Sequence, residues 1–233
     1  MDVPPSPQLT RLRWVRSLDA VQVCLLALGL FLFVPSLGGG LLRPMTPWYL
    51  LPGGGLVGTA FLLPCASRSP ELREGLWRLR FAAVLAFGLA PFVYWYRSAG
   101  HSHYLWACAF GAFLSFFWLL SEYAGVLESI SRSAGEELLL QRARLVRRTI
   151  LYLTIVPAIS LHVAFLAWPV AMPHYAFRDV FALWLNPPFP FMAIAVLPPT
   201  LFFTYAGAFR RRALAWPDSV WLAAAPPSPD PYP

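Results

Sequence analysis

The chain has 233 residues, of which 58% are hydrophobic and only 12% are charged, about half the roughly 25% charged of an ordinary soluble domain. That balance excludes a water-soluble enzyme domain and a disordered regulator, and three cysteines cannot build a disulfide framework. The class that remains is an all-α integral membrane protein: a bundle of about six transmembrane helices with both termini cytoplasmic.

The net charge of +7 comes entirely from arginine, because all 18 basic side chains are arginine and lysine is absent. Asn186 is the only asparagine. Depletion of residues with A/T-rich codons points to a GC-rich genome, and a bacterial cytoplasmic (inner) membrane is the expected location. The arginines cluster at the ends of apolar runs, where the bias of membrane proteins toward cytoplasmic positive charge explains them without any nucleic-acid partner.

A spanning helix needs about 20 mostly apolar residues to cross about 30 Å of hydrocarbon. Six stretches meet or approach that length: 17–37, 49–66, 81–97, 104–125, 149–171 and 190–209. Residues 1–16 read as a disordered, basic cytoplasmic N-terminus, since Pro4, Pro5 and Pro7 resist helix. The first span is too long for a signal-peptide core and is expected to be retained. The second span carries Pro52 and the Gly53–Gly54–Gly55 run, which makes it the weakest and leaves a re-entrant loop as its alternative. Gly54 and Gly58 there form a GxxxG pattern. Tyr94, Trp95 and Tyr96 close the third span with residues typical of a membrane interface.

Alanine at 82, 86 and 90, and small residues at 107, 111 and 115, predict close backbone approach of the third and fourth spans as an antiparallel hairpin. Between the fourth and fifth spans, Ser133 and Glu136 read as a capping box opening a helix that runs into the fifth span. The 126–148 segment then forms a helical hairpin reaching roughly 15–20 Å beyond the bilayer; it reads as a solvated, snorkelling connector, with a dock for a cytoplasmic partner as its alternative. Trp216 and Trp221 are expected at the membrane interface, ahead of a Pro-rich cytoplasmic tail within 213–233.

Arginine position fixes the orientation. Fifteen of the 18 arginines fall before the first span, between the second and third, between the fourth and fifth, or after the sixth. Only Arg43, Arg97 and Arg178 lie in the alternate loops.

Chemistry-bearing candidates are few. His162 is the one ionisable residue deep in a span, which makes it a functional suspect beside the structural reading of a histidine bonded to a neighbouring carbonyl. His101, His103 and His174 fall in outward loops, and with His162 they are weak candidates for a zinc or copper site. No cofactor is expected. Asp19, beside Arg16, and Glu122 lie at cytoplasmic ends of spans, with a cytoplasm-facing cavity as an alternative place for Glu122. Cys24 and Cys108 read as small apolar packing residues and Cys65 as a boundary residue. Glu136–Glu137 with Arg142 is one residue out of register with the glutamate–glutamate–arginine motif of CPBP-type intramembrane proteases, since Gln141 stands where arginine is needed. No family is assigned.

These features favour a non-enzymatic scaffold, assembly factor or complex subunit whose partners are the bilayer and other membrane or cytoplasmic proteins. The alternative is a small-solute or ion transporter or channel, because Pro157 and the Pro198–Pro199 pair free carbonyls toward a cavity. The third class is an intramembrane enzyme or metal protein built on the histidines.

Overall fold

The computed structural model describes residues 7–33, 50–63, 69–99, 103–160, 163, 189–217 and 219–221. These are helical, with turns and no strand among them: α1 (Pro7–Phe33), α2 (Leu50–Leu62), α3 (Pro70–Ala99), α4 (His103–Ser133), α5 (Glu137–Ile150) and α6 (Phe189–Ala213). A single π-helical turn, Leu151–Ile155, continues α5 toward residue 160. Pro157 explains it: a helical proline crowds the carbonyl four residues back, and a widened turn there gives the ring room.

Two stretches are long and apolar enough to cross a membrane, Pro70–Val93 in α3 and Tyr104–Ser133 in α4. The helices present apolar side chains outward as well as inward. Leu18, Val21, Leu25, Leu28 and Leu32 form the buried face of α1, while Val23, Leu26 and Leu30 are exposed. On α3, Phe81 and Val84 point outward opposite buried Ala82, Ala86 and Ala90. Helices apolar on every face belong in the middle of a large core or in lipid.

α3 and α4 form the most closely packed helix pair, and small residues are the reason. Ala82, Ala86 and Ala90 are wholly buried. A methyl group on Gly111 of α4 would come within 3.3 Å of the Leu89 side chain, and Ser115 is buried beside Ala112, its hydroxyl donating to the Ala112 carbonyl. Ala107, expected on the same face, is exposed. In α2, Gly54 and Gly58 meet nothing, whereas Gly53 lies against the Phe87 ring and Gly55 against Cys24 Sγ. Close approach therefore uses the glycines beside the GxxxG pair.

The helices exceed the sequence expectation at the arginine-rich ends. α1 starts at Pro7, so residues 7–16, expected to be disordered, are helical. Proline is suited to a first helical position because the amide it lacks has no helical partner there. α3 begins eleven residues before the expected span and α4 continues eight beyond it. α2, at 13 residues, covers about 20 Å, short of the hydrocarbon thickness.

The connection between α4 and α5 corrects the capping-box reading. Ser133 is the last residue of α4 and donates to the Ser129 carbonyl. Gly135 adopts φ +71°, its N–H reaches the Arg132 carbonyl, and the Glu136 N–H reaches the Ser131 carbonyl. This is a Schellman ending, in which a left-handed glycine lets two amides satisfy the last carbonyls of the helix. Glu136 is the N-cap of α5 but makes no side-chain capping bond.

Candidate functional site at the arginine-rich end

The α4–α5 hairpin is held by one carboxylate. Glu128 of α4 has a side chain only 8% exposed, and three guanidinium groups converge on it. Arg147 donates to Oε2 at 3.0 Å, while Arg132 and Arg144 reach Oε1 at 3.3 and 3.4 Å. Gly125, one turn before Glu128, makes room for this: a Cβ there would touch the Arg147 guanidinium at 3.6 Å. α5 supplies the register, burying Leu139, Ala143, Val146 and Ile150 on one stripe and so leaving Arg144 and Arg147 at its edge. Arg132 also pairs with Glu71, tying the start of α3 to the hairpin.

A cleft of about 210 Å³ lies between α3 and this hairpin, lined by Glu71, Glu74, Glu122 and Glu128 and by Arg78, Arg132 and Arg147. Each of its four carboxylates has a donor: Arg132 for Glu71, Arg78 for Glu74, the Trp118 indole at 2.9 Å for Glu122, and the three arginines for Glu128. Each of these contacts joins one turn of helix to another or braces a turn within one helix. The arrangement binds helices together.

Arg80 performs a different task. Its side chain is buried, and it donates to the carbonyls of Ala60, Phe61 and Leu63 at 3.2, 3.0 and 2.8 Å. The last carbonyls of a helix have no intrahelical partner. A charged planar fork satisfies three of them at the end of α2, with the Phe61 ring against its face at 4.9 Å.

α1 and the end of α6 join the same region. Asp19 pairs with Arg210 of α6 at 2.9 Å, and not with its sequence neighbour Arg16. Trp216 and Trp221 pack with Trp14 in a buried cluster. Ring centroids lie 6.5 Å apart for Trp14 and Trp221 and 5.9 Å for Trp216 and Trp221. Glu136 accepts from Arg212 at 2.8 Å and from the Trp216 indole at 3.3 Å. These contacts put the start of α1, the start of α3, the α4–α5 turn and the end of α6 at one end of the bundle.

A second cleft, about 590 Å³, opens between α5 and α6, lined by Arg142, Arg211, Arg212, Glu136, Trp216 and small or apolar residues. Here cations outnumber the single carboxylate.

Among the histidine candidates, His101, His162 and His174 lie outside the described residues. His103 begins α4, but its side chain is also outside them. Among the described residues no group of three metal-ligating side chains is assembled. Cys24 and Cys108 are partly buried free thiols, and Cys65 is outside the described residues. Glu122 lines the first cleft. Sequence reasoning missed Glu128, although its position four residues before Arg132 was a readable ion-pair signal.

Comparisons with protein-family models, curated proteins and solved structures give no match to this chain.

Proposed function

We propose that the chain is a multi-pass protein of a bacterial cytoplasmic membrane that works without catalysis, as a scaffold or subunit presenting a rigid arginine-rich face to the cytoplasm. The observation that carries this reading is the Glu128 cluster with its extensions. Ion pairs and a tryptophan cluster lock four helix ends together, whereas the apolar stretches 81–95 and 104–121 contain no charged residue. A transport path needs polar groups at depth. A docking platform needs a preorganised surface, because ordering flexible side chains on binding costs affinity.

In this reading the six-span topology, with both termini cytoplasmic, follows from the arginine bias together with the gathering of the arginine-bearing helix ends. The hairpin around 126–148 is the dock, since it stands at the tip with Glu137, Leu138 and Gln141 exposed.

Site-specific photo-crosslinking tests the proposal. A photoreactive residue at Gln141 is expected to capture one protein in stoichiometric yield in intact cells, while the same residue at Val84, on the outward apolar face, captures lipid. No protein adduct at position 141, combined with solute uptake by vesicles containing the purified chain alone, would replace the scaffold by the transporter.

A further inference from the structure

The cleft between α5 and α6 has a charge imbalance that the scaffold role does not use. Its one carboxylate, Glu136, is already bonded to Arg212 and Trp216. Arg142 and Arg211 line the same cleft, are exposed, and have no carboxylate partner among the described residues. Two guanidinium groups on facing helices, with no carboxylate partner among the described residues, are suited to a phosphate, which each can grip with paired N–H donors.

The surroundings define which phosphate. Arg211 lies at the end of the apolar run of α6, and the cleft wall passes directly from Arg211 to Ala208. On α5, Leu138, Arg142 and Leu145 are exposed at spacings of four and three residues, which puts them on one helix face. Tyr152 and Val156, farther along the same continuous helix, are exposed as well. Trp216 is buried in the wall of the cleft, where its indole N–H holds Glu136. A soluble anion would have no use for the adjoining apolar track; acyl chains would.

We infer that this cleft binds the phosphate headgroup of an anionic phospholipid of the cytoplasmic leaflet, held between Arg142 and Arg211, with its chains along the exposed face of α5. The inference rests on the membrane reading proposed above. Basic pockets between helices on the cytoplasmic side are suited to such headgroups.

The test compares the melting of the purified full chain in mild detergent with added phosphatidylglycerol, phosphatidylcholine or inorganic phosphate. Phosphatidylglycerol alone is expected to raise the melting temperature, less so at high salt. An arginine beside an anionic lipid contributes a factor of about five in affinity, so Arg142→Gln with Arg211→Gln shifts the half-saturating lipid concentration upward about 25-fold. Arg148→Gln, exposed and outside the cleft, keeps the wild-type response and shows that loss of one surface charge is not the cause. An unchanged response of the double variant overturns the site, and equal protection by inorganic phosphate overturns the lipid assignment. Alkaline carbonate extraction separates the two readings: a chain released from membranes sinks the membrane reading itself, whereas a retained chain whose double variant responds normally sinks only the headgroup site.

Discussion

Arg147 of α5 donates to Glu128 of α4 at 3.0 Å across the hairpin, and the same carboxylate also receives Arg132 and Arg144. The asymmetry matters more than the number of bonds. The arginines are 40–49% exposed and keep much of their hydration, whereas the carboxylate is 8% exposed. Removing one arginine leaves Glu128 two partners; removing Glu128 leaves three like charges facing one another.

Glu128→Gln is therefore expected to destabilise the detergent-solubilised protein by about 1–2 kcal/mol, discounted from the 3–5 kcal/mol of a fully buried pair because the arginines reach solvent. Arg147→Gln should cost less. Thermal unfolding of both single variants and the double variant closes the cycle. A Glu128→Gln cost no larger than that of Arg147→Gln would deny the carboxylate its central place.

Arg80 separates two explanations of an arginine beside a helix end. If it serves only as a topological marker, lysine replaces it without loss. Its three bonds to the Ala60, Phe61 and Leu63 carbonyls need the geometry of a planar fork. Arg80→Lys is expected to lose about 1–2 kcal/mol of stability, roughly one charged hydrogen bond. It should also speed amide exchange at the last turn of α2 specifically. Equal exchange in the two proteins would return Arg80 to the role of a marker.

Gly135 isolates a pure backbone effect. Nothing lies within 4 Å of the position a Cβ would occupy, yet φ is +71°. Gly135→Ala is expected to cost about 1 kcal/mol through the left-handed conformation alone, and Gly135→Asn less. Gly53→Ala is the opposite case, since its methyl would collide with the Phe87 ring. There the expected damage is displacement of α2 from α3, read as faster exchange in both helices. Thermal melts of the Gly135 pair check the first claim; an Asn variant as weak as Ala would place the strain elsewhere.

The small-residue face of α3 was legible in the sequence because period and residue size both specify close packing. The turn at Gly135 was less so. Ser133 and Glu136 satisfy the capping-box spacing, but Gly135 between them ends the preceding helix more strongly than Ser133 opens the next. Glu128 was overlooked as one acid among many arginines, though folding the chain back at Gly135 carries residues seven to twelve places beyond the turn alongside those a similar distance before it. Asp19–Arg210 and the Trp14–Trp221 contact were illegible in principle, because no local rule pairs residues about two hundred positions apart. Helix length at the arginine-rich end was underestimated because hydropathy marks where an apolar run ends, not where a helix does.

Orientation is the prediction on which the functional reading turns. Asp19 with Arg210, Trp14 with Trp221, and Glu136 with Arg212 bring the start of α1 and the end of α6 together with the α4–α5 turn. Under the membrane reading proposed above, a chain that returns to its starting side crosses an even number of times, and the arginine bias would assign that side to the cytoplasm. In a background with Cys24, Cys65 and Cys108 replaced by serine or alanine, a membrane-impermeant thiol reagent applied to intact cells is expected to label His103→Cys and to spare Gln141→Cys. Permeabilising the membrane should then make the second site reactive. In the same background, Asp19→Cys with Arg210→Cys should cross-link through a short bifunctional reagent, because the native side chains meet at 2.9 Å. Labelling of Gln141→Cys from outside would invert the molecule, and both proposed ligands of its arginine-rich end, protein and lipid, would have to be sought in the opposite compartment.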